Sequence, residues 1–290
     1  MANKKNRRTN RLSKMTSEKK EKTKTTKPFL RWAGGKKWLL KELDKFVDMK
    51  NYNSYHEPFV GGGAVYFHLS PQIAKISDSN KELIDTYEVI KNNPEDVIKH
   101  IKSFERSKEF YYSIRNKKYS TESEEAARFI YLNQMSFNGL YRVNQKGEYN
   151  VPYGYRDKYQ FDYDNLLKVS SLLKNTQITH QDFKESIANI NSNDLVFLDP
   201  PYTVTHNSNG FIHYNKKLFS LADQYNLSDA IKTIKSVGAY YILTNAAHQT
   251  IREIFDNGDK MYEIDRASLI GGKNAKRGNY AELILTNIIK

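Results

Sequence analysis

Residues 195–202 read Leu-Val-Phe-Leu-Asp-Pro-Pro-Tyr, and this octapeptide constrains the fold more than any other stretch. Four apolar residues in a row suit a strand buried on both faces, which occurs where helices cover a parallel sheet. The run then stops against two prolines, which lack a backbone donor and cannot continue a sheet ladder. A carboxylate and an aromatic ring are left at the carboxyl end of a core strand, the edge at which doubly wound folds place their ligands. A bland reading remains for the tetrapeptide alone: a tight Pro-Pro turn with a helix-capping aspartate.

The remaining pattern agrees with such a sheet. Further strands are expected at Ser54–Glu57, Ile73–Ser77, Gln177–His180, Ala239–Thr244 and Ala281–Thr286. Helices are expected at Lys36–Phe46, Lys81–Lys91, Tyr225–Ser236 and His248–Phe255. Strands alternating with helices predict an α/β fold, a Rossmann-like sheet wrapped on both faces. Residues 94–173 break the rhythm: they are rich in Lys, Arg, Tyr and helical patterning and enclose the hairpin-like stretch YRVNQKGEYNVPYG. They are expected to form an inserted, mostly helical domain. The catalytic domain is then assembled from 28–93 and 174–290.

The absence of cysteine excludes a disulfide framework, a thiolate metal site and a cysteine nucleophile. No apolar run is long enough to span a bilayer and the N-terminus has no apolar signal core, so the expectation is a soluble, cytoplasmic protein. Of the net charge of +13, residues 1–27 contribute +9, from eight Lys, three Arg and two Glu. This tail has almost no apolar residues and is expected to be disordered, either as a passive solubilising arm or as a non-specific attraction for DNA.

Three other segments carry chemistry. In YHEPFVGGGAVYFHL (55–69) a short strand leads through Pro-Phe into three contiguous glycines and an apolar helix, so the backbone can approach a ligand closely. Neither the G-x-G-x-x-G spacing nor a Walker loop is present. Asp78 ends the next strand, where an acid suits ribose hydroxyls, and the pair suggests a nucleoside bound without a pyrophosphate. Taken singly, the glycines also suit an ordinary loop and Asp78 a helix cap. FLRWAGGKKWLL (29–40) puts Trp32, two glycines and two lysines at a helix mouth, and THQDF (179–183) puts Asp182 and Phe183 after a strand. None of the seven histidines shows zinc-site spacing, so no metal is expected; His56, His68, His100 and His180 read as structural.

With these segments in order, the chain resembles the Dam/DpnII family of DNA adenine-N6 methyltransferases in their alpha arrangement, over residues 28–287. F-x-x-W-A-G-G-K, E-P-F-x-G-x-G, an insert and D-P-P-Y follow one another as they do there, and NQMSFNGLYRVNQKGEYNVPYG (133–154) is similar to the family's recognition hairpin. The resemblance implies S-adenosylmethionine as methyl donor and double-stranded DNA as substrate, with no protein partner required. It further implies that Trp32, Ala33, Gly34 and Lys36 contact the cofactor. Glu57, Phe59, Gly61 and Gly63 would line its methionine side, Asp78 would hold its ribose, and Asp182 with Phe183 would hold its adenine. Asp199, Pro200 and Tyr202 would receive a flipped adenine. Phe137, Asn138, Leu140, Arg142, Asn144 and Pro152 would meet DNA, with Phe137 as a wedge and Arg142 reading guanine; for Arg142 alone a phosphate clamp or a solvated arginine is the competing reading. GATC is the expected site, with other GAT-containing sites as the alternative. Methylation of RNA or of protein glutamine fits less well, since those enzymes more typically resemble N-P-P-Y and lack the hairpin. A DNA binder that holds the cofactor without catalysis is disfavoured by the intact Asp199, Pro200 and Tyr202. Two basic or polar loops, 203–224 and 269–282, are expected to act as a lid and as a phosphate contact (Lys273, Lys276 and Arg277), or else as plain surface loops.

Overall fold

A computed structural model describes residues 26–203, 219–267 and 279–288. Residues 1–25 of the tail, most of the expected lid and Lys273, Lys276 and Arg277 lie outside the described residues. In chain order the elements are α1 (Leu40–Phe46), β1 (Tyr55–Glu57), α2 (Ala64–Leu69), β2 (Ala74–Asp78) and α3 (Lys81–Asn92), followed by α4 (Pro94–Ser103), α5 (Lys108–Ile114), α6 (Glu122–Met135) and α7 (Tyr163–Leu173). The chain returns to the sheet with β3 (Thr176–His180), α8 (Phe183–Ile187), β4 (Leu195–Leu198), α9 (Leu221–Ser236), β5 (Tyr240–Ala246), α10 (Gln249–Ile254), β6 (Lys260–Ala267) and β7 (Asn279–Thr286).

The strands form one seven-stranded sheet in the order β3-β2-β1-β4-β5-β7-β6. The first five are parallel, and β7 runs antiparallel to β5 and β6. The sheet grows one way from β1 to β2 and β3, and the other way from β4 to β5. The crevice between the carboxyl ends of β1 and β4 is therefore the topological switch point.

β4 shows why the apolar run reads as it does. Leu195 and Phe197 join the core on one face of the sheet, while Val196 and Leu198 join the core on the other. Successive side chains on a strand point to opposite faces, so a strand covered on both sides needs apolar residues throughout. Phe183, Ile187, Leu227, Ile231, Ile251 and Phe255 of α8, α9 and α10 cover the second face. The first face is covered by α1, α2 and α3, and its core runs without a break into Val97, Ile101, Tyr111, Ile130, Tyr131 and Leu173 of α4 to α7.

α6 is the axis of that extension. A capping box between Thr121 and Glu124 starts it, and every residue from Ala126 to Met135 is buried. After it the chain forms the expected hairpin, whose ladder is reduced to two isolated bridges, Ser136↔Tyr153 and Val143↔Tyr149, supplemented by single bonds such as Asn150 N to the Arg142 carbonyl. Two expectations need correction. The helix expected from Lys36 begins at Leu40, because residues 37–39 form turns. β6 was not anticipated: Lys260, Glu263 and Asp265 interrupt its apolar pattern, as an edge strand allows.

Candidate active site

At the end of β4 the Asp199 carboxylate turns into the crevice and is anchored from two sides. Lys36 Nζ lies 2.8 Å from Asp199 Oδ1, and Thr244 Oγ1 donates to the same oxygen at 2.8 Å. Thr244 follows Leu243, the register partner of Leu198, so the neighbouring parallel strand delivers its hydroxyl beside Asp199. Among the described residues, Oδ2 takes no hydrogen bond. One oxygen is thus committed and the other remains an acceptor.

Lys36 is only 3% exposed, and its ammonium also donates to the Gly34 carbonyl at 2.7 Å and sits 5.0 Å from the centroid of the Tyr202 ring. A buried ammonium is tolerable here because carboxylate, carbonyl and ring face each satisfy part of it. The Tyr202 hydroxyl donates to Glu282 Oε2 at 2.7 Å, tying the ring to β7. Beneath the turn, Gln224 donates to Thr203 Oγ1 and accepts from Asn245 Nδ2, both at 3.0 Å. Thr244, Glu282 and Gln224 escaped the sequence reading. Only the position of Thr244, at the end of the next expected strand, hinted at a role.

Across the crevice, Glu57 ends β1 in full burial. Its carboxylate accepts from Tyr55 Oη at 2.7 Å, and burial, reinforced by the charge of nearby Asp199, pushes its pKa up to about 8. Asp78 ends β2; its Oδ2 accepts from Gly61 N and its Oδ1 from Asn80 N, each at 3.0 Å. Burial raises the Asp78 pKa, and these backbone donors oppose the rise. The Ser79 backbone opposes the rise as well, and a carboxylate with about four acceptor positions keeps some capacity beyond these donors.

Gly61 has a left-handed φ of +47°, and a Cβ there would stand 2.7 Å from Trp32 Cδ1. The indole thus lies against the glycine turn, while Ala33 and Gly34 are exposed beside it. Gly63, N-terminal to α2, is buried under Phe67 and Tyr87. Phe183 is a core residue, stacked on Phe59 at 5.4 Å, and Asp182 caps α8 by accepting from Lys184 N at 2.9 Å. Both lie at the carboxyl end of β3, beyond Asp78 in the sheet order.

The hairpin residues divide. Phe137, Asn138, Arg142 and Pro152 are exposed, and Leu140 is half-buried. Phe137 N donates to the Pro152 carbonyl at 2.9 Å, which puts these two side by side. Arg142 Nε donates to Asn150 Oδ1 at 2.7 Å, so the opposite limb of the hairpin aims the guanidinium. Asn144 is spent on the turn itself, its Oδ1 accepting from Lys146 N and Glu148 N. Three of the four histidines singled out as structural have side-chain partners: His56 pairs with buried Asp194, His68 with Asp44, and His180 with the Ser79 carbonyl. Among the described residues no group of three or more His, Asp or Glu could hold a metal ion, and no helix is long and apolar enough to cross a membrane.

Known proteins share this arrangement of segments. The family model described as D12 class N6 adenine-specific DNA methyltransferase matches residues 32–269. The chain is 36% identical over 272 residues to the type II methyltransferase M1.LlaDCHI of Lactococcus lactis subsp. cremoris, covering 90% of this chain and 95% of that one. It is also 36% identical over 284 residues to the type II methyltransferase M.MjaIII of Methanocaldococcus jannaschii, covering 89% and 98%. With the DNA adenine methylase of Haemophilus influenzae it shares 31% over 266 residues, covering 89% and 92%. A doubly wound sheet whose switch point carries an anchored D-P-P-Y, joined to these matches, places the chain among the D12 class N6 adenine-specific DNA methyltransferases.

Proposed function

We propose that this enzyme transfers the methyl group of S-adenosylmethionine to N6 of an adenine turned out of double-stranded DNA, within GATC. The observation that carries the reading is the divided Asp199 carboxylate. Lys36 and Thr244 take Oδ1, which leaves Oδ2 as an acceptor, and the Lys36 ammonium that holds the carboxylate also sits over the Tyr202 ring.

The residues around the crevice fit the cofactor. Asp78 keeps acceptor capacity that a ribose hydroxyl can use. Glu57 offers a buried carboxylate to a cationic amino acid moiety, and Trp32 walls the glycine turn. Phe183 supplies aromatic surface and Asp182 a polar group for the cofactor's adenine, and Phe59, stacked on Phe183, lines the methionine side. When bound, S-adenosylmethionine supplies a methyl group already activated by a sulfonium.

The chain's own task is to prepare the amine. The adenine N6 lone pair is delocalised into the ring, so the nitrogen must pyramidalise before it attacks. Asp199 Oδ2 accepts one N6 hydrogen and the Pro200 carbonyl the other, which favours that geometry. Lys36 and Thr244 prevent the carboxylate from swinging away. Tyr202 gives the base a stacking face. Phe137 fills the space the adenine vacates, flanked by Asn138, and Arg142 reads guanine with its fork while Leu140 and Pro152 line the groove contact. The insert, residues 94–173, is on this reading the DNA-recognition part. GATC itself rests on the likeness of the hairpin to Dam-type enzymes.

Tritiated methyl transfer to DNA, RNA and protein in parallel, with Asp199→Ala as control, tests the reaction; label entering RNA or protein but not DNA would overturn it. Single-molecule sequencing of DNA from cells expressing the protein tests the site. Modified adenines confined to another GAT-containing context would replace GATC and leave the chemistry standing.

A further inference from the structure

Tyr141 precedes Arg142 in the hairpin, yet it also reaches beyond the insert to the segment that precedes α1. Its ring stacks on Trp32 with centroids 5.6 Å apart and planes 20° from parallel. Trp32 in turn lies against the glycine turn, where a Cβ on Gly61 would come within 2.7 Å and one on Gly62 within 3.0 Å of it. The same turn is tied to the sheet by Gly61 N bonding Asp78 and by Tyr87 Oη bonding the Gly61 carbonyl at 3.1 Å. A continuous packed path thus runs from the hairpin through two stacked rings to the turn and to Asp78.

The hairpin end of this path is clamped. Tyr141 Oη donates to Glu82 Oε2 at 2.8 Å, and Glu82 Oε1 is held at 2.8 Å by Arg128 of α6, itself 3% exposed. Phe129 and Tyr149 pack against the Tyr141 ring at 5.5 and 5.8 Å, and Tyr149 Oη bonds the Leu140 carbonyl. Glu82 lies in the first turn of α3, close after Asp78, so the hydroxyl and the ring of one tyrosine both report to the same wall of the crevice.

We infer that Tyr141 is a positioning residue that couples the hairpin to the glycine turn, so that cofactor and DNA each bind more tightly when the other is present. The inference rests on the cofactor and DNA reading above. A shift of Trp32 on cofactor binding is felt by Tyr141 through the stack and by Arg142 through the backbone. Linkage makes the effect reciprocal, with the same factor read from either ligand.

The experiment uses the full-length enzyme, a fluorescein-labelled GATC duplex and sinefungin as a non-transferring cofactor analogue. Anisotropy gives the DNA dissociation constant with and without sinefungin, and calorimetry gives sinefungin affinity without DNA. In the wild type sinefungin is expected to tighten DNA binding about tenfold. Tyr141→Phe, which keeps the ring, retains most of that ratio. Tyr141→Leu, which loses the stack, brings it close to one while binding of DNA alone changes little. An unchanged ratio in Tyr141→Leu overturns the coupling role, as does a wild-type ratio of one with sinefungin bound. Failure of the wild type to bind sinefungin would instead overturn the cofactor reading, and the inference with it. If melting shows that Tyr141→Leu does not fold, Glu82→Gln serves: the ring stays, its hydroxyl anchor weakens, and the ratio is expected to fall about two- to threefold. A wild-type ratio in that variant overturns the role.

Discussion

Lys36 Nζ and Thr244 Oγ1 converge on a single oxygen of Asp199, each at 2.8 Å, and neither binds its partner oxygen. A carboxylate that must accept a hydrogen bond from a weakly basic amine gains from being unable to rotate. This geometry makes the two donors separable from the acceptor by mutation.

Asp199→Asn keeps the shape and removes the charge. Single-turnover methylation should fall at least about 100-fold, with sinefungin affinity within roughly threefold of wild type. Near-normal turnover in this variant would remove Asp199 from the mechanism.

Thr244→Val leaves Lys36 as the sole anchor, and a hydrogen bond to a charged group is worth roughly 1.5–3 kcal/mol, so a rate loss of about tenfold or more is expected. Lys36→Met should cost more, since it strips a counter-charge from a carboxylate that is only 20% exposed. Equal losses for the two variants would show that position alone, rather than charge, is what Asp199 requires.

Glu57 gives a pH dependence with a definite sign. Its folded pKa is up at about 8, above the ordinary glutamate value, so its contribution to stability is complete below about pH 4 and is lost as pH rises toward 8. The ligand-free protein should lose up to about 1.4 kcal/mol per pH unit from this group within that window. Melting temperatures followed across pH 5.5–8.5 test it: Glu57→Gln should flatten the decline, and a parallel decline in both proteins would assign it to other groups.

Asn133 is 1% exposed and bonds both backbone polar groups of one residue, accepting from Arg31 N at 2.8 Å and donating to Arg31 O at 2.7 Å. Asn133→Ala leaves two part-buried backbone groups unpaired and should cost about 1–3 kcal/mol in urea unfolding. Because the same segment carries Trp32 and Lys36, sinefungin affinity should fall as well. Intact affinity in the destabilised variant would mean that the segment is held well enough without this tie.

Arg142→Ala should relax discrimination at one guanine by roughly 1–3 kcal/mol while leaving sinefungin binding unchanged. Asn150→Ala, which frees the guanidinium from Asn150 Oδ1, should do the same more weakly. A uniform loss across all DNA sequences would make Arg142 a phosphate contact.

What could be read from the chain alone followed the reach of each signal. β4 was legible because a run buried on both faces ends against prolines, and the glycine turn because three contiguous glycines rarely serve a helix or strand. β6 was opaque: an antiparallel edge strand tolerates Lys260, Glu263 and Asp265, so no periodicity marks it. The start of α1 was misplaced because Lys36 and Lys37 are good helix formers, yet burial of Lys36 against Asp199 holds the chain in turns until Leu40. Lys36 itself was expected to touch the cofactor, and its ion pair is a contact between distant segments that no local pattern encodes. Glu282 and Gln224 were missed for the same reason.

The leading segment of the enzyme is held almost wholly by residues that are synthesised long after it. Lys27 is bonded through its backbone to Asn165, Phe29 to Gln134 and Arg31 to Asn133, and Lys36 to Asp199. A growing chain emerges beginning first, so these clamps arrive late and close large loops. The Lys36–Asp199 pair cannot exist until β4 has left the ribosome. On the proposed reading, a chain that stops before β4 lacks the Lys36–Asp199 pair on which the reaction depends.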